Sequence, residues 1–110
     1  MLNDQAYVEM ALGFAVSILE QTQGKSDKNR VTHAVRRALS RDPSAREIKV
    51  LLSLLNEQSE RLKSDSSIAK SLLSQTPQIE VSEKLDSDEV GAWFFVANAL
   101  LNLDETITKG

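Results

Sequence analysis

An all-α fold is what this chain predicts: a compact bundle of four to five helices around a central C-terminal helix at about residues 88–105. Three observations carry that reading. Only 4 glycines and 2 prolines interrupt 110 residues, so few positions force a turn. Hydrophobic residues make up 41% of the chain and aromatics only 5%, which is a globular composition with a core of Leu, Val, Ile and Ala. The third observation is the segment Val90-Gly-Ala-Trp-Phe-Phe-Val-Ala-Asn-Ala-Leu-Leu-Asn-Leu103. On a helix its apolar side chains cover almost the whole circumference, and only Gly91, Asn98 and Asn102 form a narrow, less apolar stripe. Such a helix must be buried on most sides. It is too short to cross a bilayer and carries two Asn, so no membrane insertion is expected.

The remaining elements follow in order. Asn3 or Asp4 is placed to cap a first helix reaching about Gln23, with Gly24 as its stop. Val8, Ala11, Leu12, Ala15, Ile18 and Leu19 fall on one face of it. A second helix over about 28–41 opens at Asp27 and buries Val31, Ala34, Val35, Ala38 and Leu39. Asp42-Pro43 breaks the pattern, because proline disfavours helix at the residue before it. Ser44 and Glu47 then have the spacing of a capping box. The third helix runs to about Lys63 with Ile48, Leu51, Leu52, Leu55 and Leu62 inward and a Glu57–Arg61 pair outside. Ile68, Ala69, Leu72 and Leu73 suggest a fourth helix of two to three turns. Thr76 to Lys84, with Pro77, reads as an extended connection. Asp86-Ser-Asp-Glu89 supplies cap residues and negative charge for the last helix.

Charge and composition exclude several functions. Net charge is −3, so nothing global points to nucleic acid. The sign is unevenly spread, with residues 1–41 basic and residues 76–110 acidic. There is no cysteine, which removes disulfides, thiolate metal sites, c-type haem attachment and thiol nucleophiles. Residues 1–24 show no basic n-region of an export signal.

Each candidate for chemistry has a plainer alternative. His33, the sole histidine, shares a polar helix face with Arg30, Arg37 and Arg41. Its one-turn neighbours are Asn29 and Arg37, so a solvated histidine is expected. Arg30, Arg36, Arg37 and Arg41, with Lys25 and Lys28, form a basic face. No aromatic is interleaved and no glycine-rich phosphate loop is present, so the face is expected to be solvated or paired with the acidic C-terminal third. Arg41 and Glu47 are expected to span the turn at Pro43 as a structural pair. Trp93, Phe94 and Phe95 read as core. Asn98 and Asn102 are expected to find backbone or neighbouring partners. Asp104 and Glu105 are read as anchors at the end of the last helix, paired with the arginines of helix two, not as metal ligands. No cofactor site is read anywhere.

Three segments together resemble a known family. They are Leu2-Asn-Asp4 with Tyr7-Val-Glu-Met-Ala11; Arg37-Ala-Leu-Ser-Arg41-Asp-Pro43 with Glu47; and Ala92-Trp93 with Leu100-Leu-Asn-Leu-Asp-Glu-Thr-Ile-Thr108. In this order they resemble the C-terminal domain of unknown function of the large planctomycete cytochrome-associated proteins. The resemblance implies that the chain is the tail of a longer, exported or envelope-associated protein. It places Arg41, Pro43, Glu47, Trp93, Asn102, Asp104 and Glu105 in the family's motifs and carries over no catalytic residue. The function expected is a non-enzymatic helical accessory or interaction domain, whose partner is the upstream part of the same protein or another protein. The alternative is a fragment of an enzyme whose site the upstream region completes.

Overall fold

In the computed structural model, the backbone of residues 4–109 and the side chains of residues 4–103 are described. Five helices follow one another: α1 (Gln5–Gln21), α2 (Asp27–Leu39), α3 (Ala45–Ser64), α4 (Ser67–Ser74) and α5 (Ser87–Lys109). No strand occurs among the described residues. The Cα radius of gyration is 13.2 Å.

Local chemistry accounts for the boundaries. The Asp4 side chain accepts from the Ala6 amide and caps α1. Gly24 takes φ 77° in the turn that follows, a left-handed conformation that glycine adopts without a Cβ penalty. Ser26, one residue before the expected start, caps α2 through the Asn29 amide. That helix ends at Leu39 rather than Arg41, with Ser40 in the left-handed region at φ 57°. The chain must leave helical geometry before Pro43, and the Ser40 amide closes the last turn on the Arg36 carbonyl. Asp86 caps α5 through the Glu89 amide. The helix does not stop at about residue 105, as expected, but continues to Lys109. Nothing in Asp104-Glu-Thr-Ile-Thr108 breaks it, since Thr and Ile lower helix propensity only by fractions of a kcal/mol.

Helix α5 is central, as its all-round apolarity requires. It packs most extensively on α1 and α3 and also touches α2 and α4. Val90, Ala92, Trp93, Phe94, Val96, Ala97 and Leu100 are all buried. They meet Leu12, Ile18 and Leu19 of α1, Val31 and Val35 of α2, and Leu51 and Leu55 of α3 in one cluster. The segment 76–86 contributes as well: Ile79, Val81 and Leu85 lie half-buried against the core, and buried Thr76 donates to the Leu72 carbonyl.

Gly91, placed by the sequence in the narrow, less apolar stripe, is a packing contact. It is buried, and a Cβ built on it would stand 2.9 Å from Leu62 Cδ1 and 3.5 Å from Ala69 Cβ. The glycine lets α5 approach α3 and α4 closely.

Candidate functional site

The motif residues fall into three places. At the α2–α3 corner, Arg41 donates twice to Glu47, from NH1 to Oε1 at 2.8 Å and from NH2 to Oε2 at 2.7 Å. Glu47 Oε1 also accepts from the Ser44 amide at 2.8 Å, while Ser44 Oγ accepts from the Glu47 amide at 3.1 Å. The capping box and the ion pair are thus one unit around half-buried Pro43. The Arg41 guanidinium, and after it the Ser44 amide, hold the Glu47 carboxyl down at about 2. A depressed carboxyl contributes stability that is complete above its ordinary pKa and is lost as pH falls towards the depressed one. The stability advantage of the parent over Glu47→Gln should therefore shrink between about pH 4.5 and pH 2. Urea titrations of both proteins across that range check it; a constant difference would refute it. Ser44→Ala should cost about 0.5–2 kcal/mol, and less than additively with Glu47→Ala.

The second place is Trp93, 1% exposed, in the middle of the core. Its outer edge lines a cleft of about 180 Å³ with Asp27, Lys63, Asp86, Asp88 and Glu89. Three of these acids have structural work. Asp86 caps α5, Asp88 accepts from Ser66 Oγ, and Glu89 accepts from Arg30 NH1 at 3.0 Å. Among the described residues no three His, Cys, Asp or Glu stand together as a metal site.

The third place is the pairing of Asn102 with Tyr7, whose hydroxyl donates to Asn102 Oδ1 at 3.2 Å. It ties the first motif segment to the last. The side chains of Asp104 and Glu105 lie outside the described residues.

The basic face is engaged by its own fold. Arg30, with a side chain only 13% exposed, donates to the Thr22 carbonyl as well as to Glu89. It joins α1, α2 and α5, and realises the expected attraction between the basic N-terminal and acidic C-terminal thirds. Arg36 pairs with Asp42. Arg37 donates to Ser17 and Gln21 and lies over the Phe14 ring. The expected pairing of these arginines with Asp104 and Glu105 lies outside the described residues.

Three further expectations are corrected. His33 is half-buried, not freely solvated, and its Nε2 lies 2.7 Å from Gln21 Oε1, between α2 and α1. Asn98 Oδ1 is buried with no hydrogen-bond partner among the described residues, where a backbone or neighbouring partner was expected. The Glu57–Arg61 pair is also absent among the described ion pairs: Arg61 donates to Gln58 and covers the Phe95 ring at 4.7 Å.

One feature was missed in the sequence. Val35, Leu39, Val50, Leu51, Leu100 and Leu103, with Arg46 and Glu47, line a largely apolar notch of about 200 Å³ between α2, α3 and α5. Val50 and Leu103 stand at its rim, 57% and 44% exposed. The available signal was Val50, an apolar residue between Lys49 and the buried Leu51 yet off the inward face of α3. No described helix is long and apolar enough to cross a membrane. Comparison with protein families, with characterised proteins and with solved structures finds no match to this chain.

Proposed function

We propose that this chain is a non-enzymatic helical interaction domain that docks through the notch between α2, α3 and α5. The observation that carries this reading is the notch itself, an apolar recess with Val50 and Leu103 left outside the core. Large aliphatic side chains exposed around a recess are what a partner's apolar anchor fits. The resemblance to the C-terminal domain of the large planctomycete proteins supports the same role, as the tail domain of a longer exported protein.

The reading separates stability from surface chemistry. Val50→Thr with Leu103→Gln should change the unfolding free energy by no more than about 1 kcal/mol, because both residues lie largely outside the core. The same change should lower the fluorescence of anilinonaphthalene sulfonate bound to the native protein. A loss of several kcal/mol would make the two residues part of the core and end the docking reading, as would unchanged dye binding.

A further inference from the structure

We propose that the outward face of α3 is a two-fold docking surface for a second copy of this chain. The inference rests on the interaction-domain reading and names the occupant. Its basis is the arrangement of exposed residues about Ser53. Seven residues to either side stand Arg46 and Glu60; four to either side stand Lys49 and Glu57; three to either side stand Val50 and Asn56. On a helix these offsets fall within about 60° of the Ser53 direction, so all share one face. All seven are exposed. A shallow groove runs along this face beside Val50, Ser53 and Leu54, and Arg46 and Val50 belong to the notch as well.

A two-fold contact requires a surface complementary to itself. This face meets that condition when two copies of α3 pack antiparallel with the axis at Ser53. Arg46 then faces Glu60 of the partner subunit, Lys49 faces Glu57 of the partner subunit, and both pairs recur on the other side of the axis. The small Ser53 at the centre permits close approach of the helices. The partner helix covers Val50 and with it the notch mouth.

Intrachain energetics do not account for this segregation of charge. None of Arg46, Lys49, Glu57 and Glu60 has an ion-pair partner among the described residues. A helix favours acids at its start and bases at its end. Elsewhere α3 obeys that rule, with Glu47 in its first turn and Arg61 and Lys63 in its last. The exposed face runs the opposite way, bases first, and a second copy of the same helix turns that order into attraction when it packs antiparallel.

One helix pair buries less than a standard interface, so the association should be weak and salt-dependent, seen by sedimentation from about 10 µM to about 1 mM at low ionic strength. The parent chain should approach dimer mass over that range. Arg46→Glu with Lys49→Glu should weaken self-association at least tenfold, as should Glu57→Lys with Glu60→Lys. Mixing the two variants should give a heterodimer, and combining all four changes in one chain should restore the homodimer. All sites are exposed, and melting curves establish that each variant is folded. A parent that stays monomeric at the highest concentration overturns the proposal, as does a dimer indifferent to both charge reversals. If the parent is monomeric while the dye still depends on Val50 and Leu103, the notch keeps its docking role and only the second copy is lost. If the dye result fails as well, the interaction-domain reading falls with it.

Discussion

Trp93→Ala should lower the unfolding free energy by about 3–5 kcal/mol, the cost of truncating a large buried aromatic. Trp93 is the largest of the fully buried side chains, and it sits on the helix that every other helix touches. A chain of this size commonly has a total stability of about 5–15 kcal/mol, so the variant should be marginal or unfolded. The expected readout is a thermal midpoint lower by at least 10 °C or so, with loss of the cooperative transition in the worst case. Trp93→Phe should keep most of the packing and fall between parent and Trp93→Ala. It is the sole tryptophan, so its fluorescence in the parent reports the core directly during unfolding. A midpoint for Trp93→Ala within a few degrees of the parent would mean that α5 is not the element on which the fold depends.

Gly91→Val should cost about 1–3 kcal/mol by overpacking. A Cβ at this position already meets Leu62 Cδ1 at 2.9 Å and Cγ at 3.3 Å. Leu62 is fully buried, so its side chain can give way only by repacking its neighbours. Gly91→Ala is a closer contest. Removing a mid-helix glycine gains up to about 1 kcal/mol, while the single methyl compresses one side-chain terminus, so the net change should be small. The contrast between the two substitutions separates packing from helix propensity, because propensity alone would stabilise both, alanine clearly and valine slightly. Leu62→Ala should partly rescue Gly91→Val, giving a double variant more stable than the two single losses imply. Strict additivity would show that Gly91 and Leu62 do not share the space their geometry indicates.

The corner at Pro43 and the notch at Val50 differ in how readily the sequence discloses them. The corner is local. Ser44, Glu47 and Arg41 lie within seven residues, and cap geometry depends only on spacing along one helix start, so both the capping box and the ion pair were predictable. The central position of α5 was predictable for a similar reason, since a helix apolar around its circumference has one physical solution. The notch is a property of three helices at once. Val50 and Leu103 are 53 residues apart, and neither is unusual until α3 and α5 are brought side by side.

The sequence by itself determined the class of fold, the order of the helices, most of their caps and most of the buried faces. Those follow from periodicity and from backbone groups that must be satisfied within a turn or two. Only the tertiary structure decided that Arg30 binds Glu89, that Tyr7 binds Asn102, and that Gly91, on the less apolar stripe of α5, is a point of close packing. Each joins residues from different elements. Such pairings depend on how helices cross, which is set by the summed packing of all five helices and not by any one segment's pattern.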